Sequence, residues 1–134
     1  MSQKKSRVAM IASGEGLETA YKVLNVATAA AASDAEVTVF CTFDGLMIIH
    51  KNASELLKLS PSHEHLAEGF KKANIPPVSD MLEMAKESGV TFIACQMTMD
   101  AMQITRDDLI DGIDVGGAAA FLDFAFDADI SVTF

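Results

Sequence analysis

The chain has 134 residues, half of them apolar, and 19 acidic against 10 basic side chains give a net charge of −9. This length and apolar content suit one compact domain over residues 1–134, and the acidic excess repels phosphate backbones, so nucleic acid is not an expected partner. No apolar run approaches the roughly 20 residues needed to span a bilayer, and the basic start "MSQKKSR" is not followed by an uninterrupted secretory apolar segment, so we expect a cytoplasmic protein without a membrane span.

The first third of the chain has the pattern of a strand, a helix and a second strand. The run "RVAMIA" predicts a strand over residues 7–12 that ends in a glycine-containing turn at residues 13–16. Apolar residues then recur at helical spacing over residues 17–32. "EVTVFC" predicts the second strand, over residues 36–41.

The middle of the chain is less regular. Residues 46–77 show no sustained period and predict an excursion of short turns. Ser79 then has the character of a helix N-cap, and Gly89 stands where a left-handed C-terminal cap belongs, so the sequence predicts a short helix over residues 80–88.

The last third continues the alternation. Strands are predicted over residues 90–95 and 130–134, with an extended pair at residues 114–115 and a helix over residues 118–126. Thr105 and Asp108 have capping spacing and predict a further short helix that ends at Gly112. Alternating strands and helices predict an α/β fold with three layers, α/β/α, and a mostly parallel sheet of about five strands in a flavodoxin-like arrangement.

The two cysteines are the main candidates for chemistry. Cys41 and Cys95 each end a predicted strand, and ligand sites of parallel sheets gather at the carboxyl edge, so both sulfurs are expected at one rim. If "QMTMDAM" forms a helix, Cys95 lies at its first turn, where the macrodipole favours a thiolate. A small buried hydrophobic residue is the alternative, and position alone leaves both open. Cys41 has no helix start after it and is at best an assisting thiol.

Other candidate sites are weaker. Cys95 with Met99 and Met102 would suit copper(I), but an i, i+4, i+7 stripe is typical of core packing, and His63 with His65 is better interpreted as a solvated loop. We therefore predict no metal site and no cofactor. The glycine turns at residues 13–16 and 116–117 could bind an anion and support a rival interpretation, a non-catalytic small-molecule or nucleotide-binding module. A third is a structural or regulatory oligomer in which both cysteines are buried and unreactive.

Two segments, "ANIPPVSDMLEMAKESGVTFIACQMTMDAM" and "ITRDDLIDGIDVGGAAAFLDFA", together with the earlier "TFDGL", resemble the DsrE/DsrF-like family, in the soluble branch often called peroxiredoxin-like. The resemblance implies a DsrE-like fold, a homo-oligomer such as a dimer or trimer, and sulfur-relay work with small TusA-like carrier proteins, possible without metal or cofactor. It implies that Cys95, in "ACQM", carries a persulfide and that Cys41 is a possible helper. The branch usually has glycine where this chain has Gln103.

Overall fold

A computed structural model describes residues 5–134, so the first four residues of the basic start lie outside it. All five strands pair in parallel in one sheet, in the order β4-β3-β2-β1-β5, which confirms the predicted α/β class. The strands are β1 (Arg7–Ala12), β2 (Glu36–Cys41), β3 (Thr91–Cys95), β4 (Asp114–Gly116) and β5 (Ile130–Thr133).

The helices differ strongly in length. Among the described residues, only α1 and α4 are ten residues long or longer. Three segments of 3-10 helix lie at Phe43–Ile49, Pro61–Leu66 and Arg106–Asp108. The α-helices are α1 (Leu17–Ala32), α2 (Ala53–Leu56), α3 (Ala67–Lys72), α4 (Val78–Glu87), α5 (Gln96–Met102) and α6 (Ala118–Ala125). In the described part of the chain, 5–134, none of these helices has the length and apolar character required to cross a membrane.

The two faces of the sheet carry two separate apolar clusters. On the first face, α1 and α4 cover strand side chains such as Val39 and Phe92. On the second face, a smaller cluster joins Phe40 and Ile93 to Phe121 of α6, whose ring stacks on Phe40 with the centroids 5.4 Å apart. Because successive strand residues point to opposite faces, neighbours such as Val39 and Phe40 belong to different clusters.

Two details of the predicted helices are wrong. α4 begins at Val78 with Pro77 as its N-cap, and Ser79 lies inside the first turn. The proposed helix up to Gly112 is a single 3-10 turn that ends at Asp108. The capping box of Thr105 and Asp108 does form, but Ile110 then donates its N–H to Ile49 O at 3.0 Å, and this bond draws the chain out of the helix.

The C-terminal cap of α4 is confirmed. Gly89 has a φ of +91°, and the N–H groups of Gly89 and Val90 donate to the carbonyls of Lys86 and Ala85, each at 3.0 Å. These paired bonds form a Schellman motif, which ends the helix and directs the chain into β3.

The excursion over residues 46–77 is fixed to the start of α1. Leu17 N–H donates to Lys58 O at 2.8 Å, and the Glu18 carboxylate accepts bonds from the Ser60 hydroxyl and from Ser60 N–H, the latter at 3.2 Å. His63 Nδ1 lies 2.8 Å from Glu18 Oε2. Burial alone would raise the pKa of Glu18, but the Ser60 bonds and nearby His63 outweigh it and lower that pKa below its ordinary value. The start of α1 therefore anchors a segment whose own regular structure is limited to short helices.

Candidate functional site

Cys95 lies where strand and helix meet at the carboxyl edge of the sheet. It is the last residue of β3 and the N-cap of α5, as the sequence predicted. Its side chain belongs to the second-face cluster with Phe40, Ile93 and Phe121, and 5% of the residue is exposed. Cys95 is thus largely shielded from solvent, at the end of a strand and next to the first turn of a helix.

Two threonine hydroxyls lie next to this cysteine. Thr98, in α5, is 2% exposed, and its Oγ1 lies 3.2 Å from Thr42 Oγ1, so the two hydroxyls share a hydrogen bond. Thr98 Oγ1 also accepts the N–H of Phe43 at 3.0 Å. This small network ties the start of α5 to the segment that leaves β2.

The environment of Cys95 favours its charged form. Burial raises the pKa of the thiol, but the hydroxyls of Thr98 and Thr42 and the backbone N–H groups of Thr98 and Met97 outweigh it and hold the pKa below its ordinary value. The neutral thiol makes no capping hydrogen bond of normal geometry. The two observations agree because a thiolate attracts donors more strongly than a thiol does, so these groups act on the charged form.

The turn after β2 places Thr42 beside the sulfur. Thr42 N–H donates to Ala12 O at 3.0 Å, and Gly45 N–H donates to Thr42 O at 3.0 Å. A Cβ at Gly45 would overlap the Ala12 carbonyl group and lie 2.9 Å from Ser13 N, so only glycine fits. Phe43, with a φ of +50°, takes a left-handed conformation that is uncommon for a residue with a side chain. These contacts give the "TFDG" segment a structural role.

Cys41 is placed differently from Cys95. It is fully buried in the first-face core, and burial raises the pKa of its thiol to about 12. In the register of β2 and β3, Cys41 stands opposite Ala94, so Cys95, one residue further, points to the other face. Both cysteines therefore end their strands at the same edge of the sheet, as predicted, but the expectation that the two sulfurs point from one rim is wrong, because they lie on opposite faces. The geometry gives no support to a helper role for Cys41.

The methionines after Cys95 do not pack together around its side chain. Met99 is buried in the first-face core, which confirms packing for that residue, whereas Met97 is 63% exposed and Met102 is also exposed. Within residues 5–134, no three histidine, cysteine or acidic side chains come together as a potential metal site. His63 instead contacts Glu18.

The β1–α1 glycine turn offers few free amides to an anion. The N–H groups of Ser13 and Gly14 both donate to Phe134 O, at 2.8 and 3.2 Å, and Leu17 N–H is bonded to Lys58 O. At the second turn, a Cβ on Gly116 would lie 3.1 Å from the Ala120 Cβ, so close packing accounts for this glycine. The geometry thus weakens the observations that supported a nucleotide-binding module.

Sequence reasoning missed Thr42 and Thr98 as functional candidates. Thr98 had a usable signal, since it follows Cys95 by three residues, the spacing at which an N-cap residue and the third helical residue interact. Thr42 had none, because it reaches the site from 56 residues away in the chain.

The fold resembles that of solved structures. The YchN protein from E. coli superposes with a TM-score of 0.71 at 20% identity, over 98% of this chain and all of that one. MTH1491 from Methanobacterium thermoautotrophicum, a protein of unknown function, gives a TM-score of 0.59 at 18% identity, over 96% and 99% of the two chains.

Sequence relatives cover nearly the whole chain. Sulfur carrier protein DsrE2 from Allochromatium vinosum is 30% identical over an alignment of 159 positions, which covers 97% of this chain and 98% of that protein. The uncharacterized protein YrkE from Bacillus subtilis is 27% identical over 158, spanning 98% and 99%. The model of the DsrE/DsrF/DrsH-like family matches residues 4–69 and 60–133. With this match and these relatives, the chain belongs to the DsrE/DsrF/DrsH-like family.

Proposed function

We propose that this protein is a sulfur-relay protein that carries a persulfide on Cys95 and exchanges it with thiol partners. The main support is the environment of Cys95, where two hydroxyls and two backbone amides lower the pKa of a nearly dry thiol. A relative named as a sulfur carrier adds to this support. Thiolates are the reactive species in sulfur exchange, so a site that stabilises one suits the role.

The proposed cycle has two half-reactions at the same sulfur. In the first, the Cys95 thiolate attacks the outer sulfur of a donor persulfide, R–S–S⁻; an S–S bond forms at Cys95, the donor S–S bond breaks, and RS⁻ leaves. In the second, an acceptor thiolate attacks the outer sulfur of the Cys95 persulfide, and the Cys95 thiolate leaves. Electrons balance in each step, because one S–S bond forms as another breaks.

The proposed partner is a small TusA-like sulfur carrier, met in the cytoplasm. The chain carries a net charge of −9, and an acidic surface steers basic partners toward it. Met97 and Phe43 are both exposed, and both belong to segments that contact Cys95 or Thr98. Exposed apolar side chains beside a nearly dry thiol suit a partner that must bring its own thiol close to the sulfur.

We also propose that the protein forms a homo-oligomer through α6. Leu122 and Phe126 are four residues apart at the end of this helix, and both are exposed, Phe126 by 78%. Side chains at this spacing share one helix face. We call these two residues the α6 patch. Exposed aromatic and aliphatic neighbours are typical of protein interfaces.

The direct test is intact-mass spectrometry after exposure to polysulfide, with wild type, Cys95→Ser and Cys41→Ala compared. We expect a gain of one sulfur atom, reversed by a thiol reductant, in wild type and Cys41→Ala and its loss in Cys95→Ser. Sulfur retained in Cys95→Ser would refute the site. No sulfur on wild type, with Cys95 also inert to alkylation, would instead favour a structural oligomer.

A further inference from the structure

The groups that stabilise a charged Cys95 are all neutral. The charged side chains on the elements packed around it are mostly acidic: Asp44 after β2, Asp100 in α5, Asp114 in β4 and Asp123 in α6. The basic exception is Arg7 of β1, whose guanidinium lies over the Phe124 ring and pairs with Glu36 and Asp127. None of these, and no cation, is among the causes of the lowered pKa of Cys95. Hydroxyl and amide donors therefore stabilise the Cys95 thiolate, as a lysine, arginine or histidine does at many reactive cysteines. Because no cation contributes, each donor accounts for a larger part of this stabilisation.

Thr98 is the best placed of these donors. Its oxygen accepts the Phe43 N–H at 3.0 Å, which fixes the hydroxyl and leaves its proton free to point elsewhere. Thr42 Oγ1 lies 3.2 Å from the Thr98 oxygen, and the Cys95 sulfur is a further hydrogen-bond partner of the Thr98 side chain. Two hydroxyls hold two protons; one is used in the bond between the threonines, so the other remains available to a negatively charged sulfur.

We propose that Thr98 is a positioning residue that, together with Thr42, holds the Cys95 sulfur as a thiolate, both as attacking group and as leaving group. Only the leaving-group part of this inference rests on the proposed persulfide chemistry. Phe43 N–H contributes by fixing the Thr98 oxygen, so the left-handed backbone at Phe43 has a role in the site.

The two half-reactions depend differently on the hydrogen bond from the Thr98 hydroxyl to the Cys95 sulfur. When Cys95 attacks, a less stabilised thiolate is scarcer at neutral pH but intrinsically more nucleophilic. When Cys95 leaves, a less stabilised thiolate departs more slowly at every pH. Loss of the Thr98 hydroxyl should therefore slow sulfur release across the pH range and slow attack only below the titration midpoint of the thiol.

The test measures the rate of Cys95 alkylation by iodoacetamide against pH, with the modified peptide identified by mass. In Thr98→Val we expect the midpoint to move to higher pH and the rate at pH 7 to fall by about three- to tenfold. Loss of one hydrogen bond to a charged group lowers the thiolate fraction roughly ten- to hundredfold, and the higher nucleophilicity of the remaining thiolate offsets about half of this loss on a logarithmic scale. The plateau at high pH should be equal to wild type or higher. Thr98→Ser should restore the wild-type profile, because it keeps the hydroxyl.

Thr38→Val is the matched control. Thr38 is also a buried threonine, in β2, but it is not among the groups that shift Cys95, so its profile should equal wild type. Should Thr98→Val fail to fold, Thr42→Val removes the other hydroxyl and should show the same shift. An unchanged midpoint, or a rate lowered by the same factor at all pH values, would overturn the positioning role.

Sulfur release separates this inference from the proposed function. Wild type and Thr98→Val are loaded with polysulfide and then mixed with excess small-molecule thiol, and release is expected to be slower in the variant at each pH. Equal release rates would overturn the leaving-group role. If wild type takes up no sulfur while the alkylation profiles shift as expected, the proposed function fails and the effect of Thr98 on the thiolate stands.

Discussion

The substitution Gly45→Ala tests whether the turn after β2 is built by close approach to β1. The added methyl group would overlap the Ala12 carbonyl and lie 2.9 Å from Ser13 N, whereas ordinary contact begins at 3.4 Å. The turn must therefore move by at least half an ångström, which strains or breaks the bonds Thr42 N–H to Ala12 O and Gly45 N–H to Thr42 O. Two such bonds and the displaced packing correspond to about 2–4 kcal/mol of unfolding free energy.

The loss is measured by urea unfolding. With a slope of about 1–3 kcal/mol per molar urea, the midpoint should fall by roughly 1–2 M. Because the same movement displaces Thr42 from Cys95, alkylation of Cys95 near neutral pH should also slow. Gly69→Ala is the matched control: nothing lies within 4 Å of its added methyl group, and in α3 it should stabilise by about 0.5–1 kcal/mol. A Gly45→Ala unfolding free energy within about 0.5 kcal/mol of wild type would refute the reasoning.

Three further outcomes are expected. Glu18→Gln should lower the unfolding free energy at pH 7 by about 1–2 kcal/mol, and by less near pH 3. Because folding lowers the pKa of Glu18, its carboxylate stabilises the fold fully above the unfolded-state pKa of 4.5, and this stabilisation is lost as pH falls through the folded-state pKa. An equal loss at both pH values would contradict this. Cys41→Ser places a hydroxyl in a dry core and should cost about 1–3 kcal/mol in urea unfolding, with sulfur loading unchanged; lost loading would give Cys41 a chemical role. Phe126→Asp should lower the molar mass by light scattering, whereas Met84→Asp, on α4, should not; equal masses would exclude the α6 patch as the interface.

β1, β2 and α1 could be predicted from sequence because their burial leaves a distinct apolar pattern. "RVAMIA" and "EVTVFC" are buried on both faces and read as continuous apolar runs, and their bounds match β1 and β2. Gly89 marked the end of α4 because only a left-handed residue continues the chain there at little cost. Gln103 takes a similar conformation, with a φ of +57°, at the end of α5.

What sequence could not supply were contacts between distant segments. The path of the excursion depends on Glu18, which holds Ser60 from 42 residues away, and no local pattern encodes that bond. The opposite orientation of Cys41 and Cys95 depends on the register of β2 against β3, which a single sequence does not reveal. The position of Cys95 before a helix could be predicted, but it left the role of the thiol open until the family resemblance favoured this cysteine; Thr42 became visible only when the turn after β2 was placed against α5.

The sheet separates Cys41 from the proposed persulfide on Cys95. A second thiolate within reach of a persulfide attacks the inner sulfur, expels hydrosulfide and leaves a disulfide, so the cargo is lost. Cys41 lies on the other side of the backbone layer, in a core that keeps its thiol protonated, and it cannot make this attack. The proposed persulfide on Cys95 would therefore be protected from discharge within its own chain, and thiols that reach it from outside would set its lifetime.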